Sequence, residues 1–120
     1  MTNRYQWKAE LIEVIDGDTV EAWVELDFGV KLCLKLRVAG VNAPEMWTVK
    51  HNSEEYTRGL AAKVFVQELF EKLGKSFHIE SDGPQREKYG RFLVNVLMPD
   101  GNWLDQVLVK TGHAVKKAYQ

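Results

Sequence analysis

The sequence is short of cysteine, of long apolar runs and of excess charge, and each shortage removes a class of protein. Cys33 is the single cysteine among 120 residues, which excludes an intrachain disulfide and a zinc site built on several cysteines. No apolar run approaches the ~20 residues that cross a bilayer as a helix, so we expect no membrane partner. The net charge of -1 argues against binding nucleic acid by bulk positive charge and leaves only local basic patches.

The N-terminal segment is polar and lacks the apolar stretch that signal peptides carry. We therefore expect a cytoplasmic, intracellular location, although the mature part of a secreted protein would look the same. A chain of 120 residues is long enough for one hydrophobic core and shows no linker or repeat. The expectation is one domain over residues 1–120, acting as a monomer.

The first third of the chain alternates apolar and polar residues, as half-buried strands do. Apolar side chains occupy every second position over residues 20–26 and again over residues 30–38, which predicts two strands. The Phe28-Gly29 pair between them predicts a tight hairpin turn. Residues 7–14 are a plausible earlier strand, so the chain begins as a three-stranded meander.

The spacing of apolar residues then changes to that of a helix. Ser53 is placed to cap the start of the helix, and Gly74 ends it. Two strands follow over residues 77–80 and 92–98, and a short helix begins with Asn102 as its cap. The order βββ-α-ββ-α predicts an α+β, mainly β fold: a five-stranded OB-type barrel with one helix after strand 3 and a short C-terminal helix.

Four short segments carry residue types suited to metal-assisted phosphodiester cleavage. Arg37 and Arg91 can each clamp two phosphate oxygens with a planar fork. The side chains of Asp18 and Asn42 offer the oxygen ligands that Ca2+ prefers. Glu45 follows a rigid proline and can orient or deprotonate a water. The four segments are Asp16-Gly17-Asp18-Thr19, Arg37, Asn42-Ala43-Pro44-Glu45 and Lys88-Tyr89-Gly90-Arg91.

Each of these segments, taken alone, has an ordinary structural explanation. An Asp-Gly-Asp-Thr sequence is most often a hairpin turn, and Arg37 fits the polar side of an alternating strand. The other two segments could be a strand terminator and a solvated basic loop. Their joint occurrence, in this order around the predicted strands, favours the functional interpretation.

Three stretches of the chain together resemble the staphylococcal nuclease (thermonuclease) family, and the likeness runs from about Leu11 to Gly112. The resemblance implies an OB-fold barrel and a calcium-dependent endonuclease that cleaves DNA and RNA with little sequence preference and leaves 3′-phosphates. The stretches are Val14-Ile15-Asp16-Gly17-Asp18-Thr19-Val20, Arg37-Val38-Ala39-Gly40-Val41-Asn42-Ala43-Pro44-Glu45 and Lys88-Tyr89-Gly90-Arg91.

The resemblance also implies roles for individual residues. Arg37 and Arg91 match two catalytic arginines, Glu45 matches the glutamate usually assigned as general base, and Asp18 matches a calcium-ligating aspartate.

Three further positions would contact the substrate. Lys88 and Tyr89 match positions that contact a nucleotide phosphate, and Tyr119 matches a base-lining tyrosine when a gap is allowed. The implied partners are therefore DNA and RNA.

Asn42 departs from the family pattern, which usually has a second calcium-ligating aspartate there. An amide keeps the oxygen ligand but removes a charge that, at ~4 Å and an effective dielectric of about 20, is worth roughly 4 kcal/mol. We expect calcium to bind roughly ten- to a thousandfold more weakly, at about 1.4 kcal/mol per decade. Ala43 replaces a common threonine and would ligate through its backbone carbonyl.

Two alternatives stay open. A nuclease-like module that has lost turnover and binds nucleic acid or protein would explain Asn42. A plain OB-type binder of single strands would stack bases on Trp23, Trp47 and Tyr89, but it gives the matched arginines and glutamate no role. If the chain is a nuclease, its matched side chains must converge in one cleft.

Overall fold

A closed barrel of five strands organises the molecule, in which the computed structural model describes residues 5–81 and 90–117. The elements in chain order are β1 (Tyr5–Asp16), β2 (Thr19–Glu25), β3 (Lys31–Val38), β4 (Val41–Asn42), α1 (Glu54–Leu73), β5 (Ser76–Ser81), β6 (Phe92–Leu97), α2 (Leu104–Lys110) and β7 (Val115–Lys116). The barrel order is β1-β2-β3-β6-β5, while β4 and β7 form a separate antiparallel pair. The predicted OB-type barrel with its two helices is confirmed, and the β4–β7 pair is an addition to it.

The barrel core is built by the alternation seen in the sequence. Val20, Ala22 and Val24 of β2 are buried, because alternate residues of a strand face the same side of the sheet. In β3 the alternation is only half realised, since Leu36 is buried but Leu32 is 46% exposed. Among the described residues, β6 pairs with β3 only at Leu36, Arg37 and Val38, so Leu32 lies beyond the described part of this pairing.

Helix α1 begins and ends where its sequence signals predict. The Ser53 hydroxyl accepts a hydrogen bond from the Tyr56 N–H at 3.1 Å, and Gly74 ends the helix with a φ of 104°. The helix packs on the barrel through Val66 and Phe70, both buried. Neither helix among the described residues is long and apolar enough to cross a membrane.

The start of α2 differs from the prediction. Trp103, and not Asn102, is the residue at the N-cap, and it makes no side-chain capping bond. The Asn102 side chain instead donates to the Asp100 carboxylate at 3.0 Å, because the preceding turn holds it there. The helix is anchored by Leu104 and Leu108, which are fully buried.

The turn between β2 and β3 contains a conformational outlier. Phe28 has a φ of 62° and is followed by Gly29 with a φ of 73°. The left-handed region costs a residue with a Cβ about 1–2 kcal/mol, and the Phe28 ring is fully exposed. Asparagine and glycine tolerate this region far better.

Replacing Phe28 by Asn should therefore raise the free energy of unfolding by about 1 kcal/mol, measured by urea denaturation. Val30→Asn is the matched control, because Val30 is also an exposed apolar residue but has an ordinary φ of -78°. An equal gain in both variants would show that removing an exposed apolar side chain is enough to explain the effect, and would contradict the strain at Phe28.

Candidate active site

Three backbone segments meet at one end of the barrel. The β1–β2 turn carries Asp18, and Arg37 near the end of β3 lies directly across the sheet from Thr19. The Val38 N–H donates to the Asp18 carbonyl at 2.8 Å, which ties the turn to β3. Asn42 follows in β4, so the chain returns to the same place a few residues later.

Helix α1 holds two of these segments through close contacts with glycine. A Cβ built on Gly17 would lie 2.7 Å from the Ala62 Cβ and 2.8 Å from the Ala43 Cβ. A Cβ built on Gly59 would lie 2.8 Å from the Pro44 carbonyl oxygen. All three distances are shorter than those at which a Cβ atom packs against another heavy atom. Only glycine at these two positions therefore permits the helix to approach the β1–β2 turn and the loop after β4.

The Asp18 carboxylate is the centre of a buried hydrogen-bond cluster. Its Oδ2 atom accepts from the Ala43 N–H at 2.8 Å and lies 3.4 Å from the Arg37 Nη2 atom, with only 10% and 9% of the two side chains exposed. Arg37 also donates to the Val38 carbonyl at 2.7 Å and to the Asn42 Oδ1 atom at 2.5 Å. Asp18, Arg37, Asn42 and Ala43 therefore lie together, as the sequence predicts.

Arg91 joins the same cluster through Thr19. The Thr19 hydroxyl donates to the Asp18 Oδ1 atom at 3.1 Å and accepts from the Arg91 Nη1 atom at 3.2 Å. The two arginines are thus linked to opposite oxygens of one carboxylate, Arg37 directly and Arg91 through one hydroxyl. This arrangement places two guanidinium groups on the same side of the barrel end.

Asp16 lies beside Asp18 in the same turn. The pKa of the Asp16 carboxyl is raised from 3.8 to about 7, and burial is the largest cause. A side-chain hydrogen bond with Asp18 and the negative charge of Asp18 act in the same direction. Two neighbouring carboxylates resist joint ionisation in this way. The turn therefore carries less than two full negative charges near neutral pH.

Glu45 is near the cluster along the chain but is turned to a different partner. Its carboxylate accepts from the Thr48 hydroxyl at 3.0 Å, and its backbone N–H donates to the Glu55 carboxylate at 3.1 Å. The side chain is exposed. Within the part of the chain that the structure describes, no hydrogen bond joins Glu45 to the Asp18 cluster, so its role as a base stays a prediction.

Lys88, Tyr89 and Tyr119 lie outside the described residues. Their assignment as substrate contacts stays a prediction.

The oxygen donors around Asp18 suit a hard cation in kind. Carboxylate and amide oxygens are the ligands that Ca2+ selects, and the Asp18 and Asn42 oxygens already converge on one positive group, the Arg37 guanidinium. Ala43 turns its N–H, not its carbonyl, to Asp18. Over residues 5–81 and 90–117, no group of three or more acidic, histidine or cysteine side chains is placed to hold a metal.

Sequence reasoning missed three residues of the site. Thr19 bridges Asp18 and Arg91, and Gly59 and Ala62 fix the height of α1 above the two loops. Thr19 stands within the matched turn segment, and its position next to Asp18 could have indicated a bridging role. The helix contacts leave no local sequence signal.

Comparisons with known proteins agree with the barrel fold. The family model described as staphylococcal nuclease homologue matches residues 35–120. The chain belongs to this family.

Individual relatives are distant. An uncharacterized protein of Methanocaldococcus jannaschii is 28% identical in an alignment of 123 residues that covers 88% of this chain and 56% of the relative. Proteins named uncharacterized endonuclease in Escherichia coli O157:H7 and Escherichia coli are each 26% identical over 104 residues, 87% of this chain and 57% of the relative. The chain thus spans a little over half the length of the curated relatives it matches. Family and relatives together support a nuclease-like role.

Gly59→Ala should lower the free energy of unfolding by about 1–3 kcal/mol because the added methyl meets the Pro44 carbonyl. A decrease in stability is diagnostic, because replacing glycine by alanine within a helix normally raises the stability by about 1 kcal/mol. Chemical denaturation measures the change, with Gln67→Ala on the exposed side of α1 as control. A Gly59→Ala variant as stable as the wild type would show that the loop yields and would refute the close packing.

Asp16→Asn should stabilise the chain at pH 8 and do so less at pH 5, measured by denaturation in EDTA. The folded-state pKa of Asp16 is raised to about 7, so the folded chain holds its proton more tightly than the unfolded chain. Stability is therefore lost as the pH rises from about 4 to 7. One pKa unit corresponds to about 1.4 kcal/mol, and because solvent reaches this carboxyl we expect a gain of only about 1–2 kcal/mol at pH 8.

The exposed Glu10 on the same strand supplies the control variant, Glu10→Gln, which should show little difference between the two pH values. A stability difference for Asp16→Asn that is the same at pH 5 and pH 8 would contradict the raised pKa.

Proposed function

We propose that the chain is a calcium-dependent endonuclease that hydrolyses phosphodiester bonds of DNA and RNA with little sequence preference and leaves 3′-phosphates. The observation that carries the proposal is the attachment of Arg37 and Arg91 to the two oxygens of one buried carboxylate. A pentavalent phosphate gathers negative charge in the transition state, and two preorganised guanidinium groups are suited to stabilise it.

The reaction requires a base, an electrophilic phosphorus and a leaving group. Glu45 would take a proton from a water whose oxygen forms a new bond to phosphorus. The bond from phosphorus to the 5′ oxygen then breaks, and that oxygen takes up a proton to become a 5′-hydroxyl while the phosphate stays on the 3′ oxygen. Arg37 and Arg91 neutralise the non-bridging oxygens as their charge grows.

Glu45 would reach this position by exchanging one contact. Among the described residues, its carboxylate makes one hydrogen bond, from the Thr48 hydroxyl, and it lies on an exposed loop. Catalytic hydrogen bonds often form only when substrate is present. The loop is fixed at its base by the close approach of Gly59 to the Pro44 carbonyl, so Glu45 would move its side chain and not its backbone.

Asp18, Asn42 and the Ala43 carbonyl are the groups that would hold a calcium ion. The ion would supply positive charge next to the phosphate. Arg37 now contacts both the Asp18 and the Asn42 oxygens, and in the substrate complex its guanidinium would exchange the Asn42 contact for phosphate oxygens. Because position 42 is an amide, we expect a high calcium requirement.

Lys88, Tyr89 and Tyr119 would bind the substrate backbone and base. They complete a set in which local groups, and not the net charge of -1, provide affinity for nucleic acid.

A second candidate is a nuclease-like module that binds nucleic acid or protein without turnover. One observation favours it: the Asn42 amide is already bonded to Arg37 at 2.5 Å, so the arginine is satisfied without a metal or a phosphate.

Digestion of plasmid and single-stranded DNA over a calcium series from micromolar to tens of millimolar tests the proposal. We expect wild-type cleavage only at high calcium. Asn42→Asp should lower the calcium needed for half-maximal rate by roughly tenfold or more, because it restores a charge beside the ion. Glu45→Ala should reduce the rate by about 10²- to 10⁴-fold, the usual contribution of a general base.

Glu54→Ala is the matched control, since Glu54 is an exposed acid close to Glu45 in the chain, and it should cleave at the wild-type rate. Absence of cleavage by wild type and Asn42→Asp at every calcium concentration would refute the nuclease, and DNA binding without cleavage would support the second candidate. Equal cleavage in chelator would refute the calcium site alone.

A further inference from the structure

Helix α1 holds the peptide units on both sides of Glu45. The Glu45 N–H donates to the Glu55 carboxylate at 3.1 Å. A Cβ built on Gly59 would lie 2.8 Å from the Pro44 carbonyl oxygen and 3.0 Å from the Glu45 carbonyl oxygen, so the loop lies directly against the helix there. The helix therefore fixes the backbone of Glu45, whatever contact its side chain makes.

The contacts come from one face of the helix. Glu55, Gly59 and Ala62 follow one another at intervals of four and three residues, and this spacing places residues on the same side of a helix. Gly59 and Ala62 are buried, and Ala62 lies against Gly17 of the β1–β2 turn. Glu55 is half-buried where this face begins. One helix face thus supports both the turn and the loop that carries Glu45.

The first turn of α1 contains two acids, and they differ in their contacts. Glu54 and Glu55 both follow the cap residue Ser53, and the positive end of a helix favours acids at these positions. Over residues 5–81 and 90–117, the Glu55 carboxylate makes one hydrogen bond, to the Glu45 N–H, and the exposed Glu54 makes none. Glu54 therefore serves as a control that shares the charge and the helix turn but not the contact.

We propose that Glu55 is a positioning residue for Glu45, because its hydrogen bond fixes the point from which the Glu45 carboxylate reaches the attacking water. The inference rests on the proposed function, in which Glu45 is the general base. Glu55 and Gly59 contact the backbone of Glu45, so its side chain can leave Thr48 while its Cα stays in place. The base then combines a fixed origin with a movable carboxylate.

The effect on the rate should exceed the effect on the fold. A catalytic group displaced by about 1 Å can lower a rate roughly 10²-fold. The hydrogen bond from Glu45 to Glu55 is exposed, so water can satisfy the N–H when the carboxylate is removed, and the stability should change little. Kinetics and stability therefore separate a positioning role from a structural one.

A purely electrostatic effect of Glu55 is the competing explanation. Its carboxylate brings a negative charge close to the loop of Glu45, and such a charge makes a neighbouring acid hold its proton more tightly. Glutamine separates the two effects, because its amide oxygen accepts a hydrogen bond but carries no charge. Alanine removes both the acceptor and the charge.

Steady-state cleavage of single-stranded DNA at saturating calcium is the kinetic test. Glu55→Ala should lower kcat roughly 10- to 100-fold with little change in KM, because the base is misplaced while substrate contacts remain. Glu55→Gln should retain most of the wild-type kcat, and Glu54→Ala should retain all of it. Circular dichroism and the midpoint of urea unfolding check that each variant is folded.

Hydrogen exchange of the Glu45 amide, followed by NMR without calcium or substrate, tests the contact itself. Glu55→Ala should speed this exchange at least about fivefold, because the amide loses its acceptor. Glu55→Gln and Glu54→Ala should leave the exchange rate of the Glu45 amide close to that of the wild type.

The outcomes separate this inference from the proposed function. If the wild type cleaves DNA and Glu55→Ala has the same kcat, the role of Glu55 is refuted and the nuclease stands. An equal loss of kcat in Glu55→Ala and Glu55→Gln would show that the charge matters and would overturn the positioning role. Unchanged exchange of the Glu45 amide in Glu55→Ala would refute the contact. Absence of cleavage by the wild type at every calcium concentration would refute the proposed function, and this role with it.

Discussion

The Asp18 carboxylate is the group on which the barrel end depends. It is buried, and its two oxygens satisfy the Arg37 guanidinium, the Ala43 N–H and the Thr19 hydroxyl. Through these bonds one side chain of the β1–β2 turn fixes β3 and the segment after β4. Removing one partner of a buried ion pair typically costs about 3–5 kcal/mol, because the other charge is left without compensation. The Asp18 cluster therefore stabilises the fold and also contains the candidate catalytic arginines.

Local sequence signals predicted local structure, and contacts distant along the chain supplied the rest. Alternation in β2 and the caps of α1 depend on neighbouring residues, and both predictions are confirmed. Leu32 is exposed although its position in the pattern predicts burial, and it lies beyond the described part of the β3–β6 pairing. The β4–β7 pair joins Asn42 to Val115 through two residues in each strand, too few for any periodic signal.

In the candidate site, too, some features were predictable from the sequence and others were not. The matched segments predicted that Arg37, Arg91, Glu45, Asp18 and Asn42 would converge in one cleft. The structure joins the arginines, Asp18 and Asn42 by hydrogen bonds and an ion pair, but it turns Glu45 to Thr48. The partner of Glu45 could not be predicted, because the orientation of an exposed carboxylate depends on a nearby hydroxyl, here Thr48. The close approach of α1 could not be predicted either, because the sequence alone does not distinguish a glycine needed for close packing from a glycine needed for a turn.

The charges of the cluster nearly cancel among its own side chains. Arg37 balances Asp18, and burial raises the pKa of Asp16 to about 7, so that carboxyl contributes only part of a negative charge near neutrality. An aspartate at position 42 would add a full negative charge beside these two acids, and Arg37 and Arg91 would have to offset it. The Asn42 amide instead supplies an oxygen to Arg37 at no cost in charge. The amide at position 42 therefore keeps an oxygen for Arg37 while leaving the cluster one negative charge short of what an aspartate there would give.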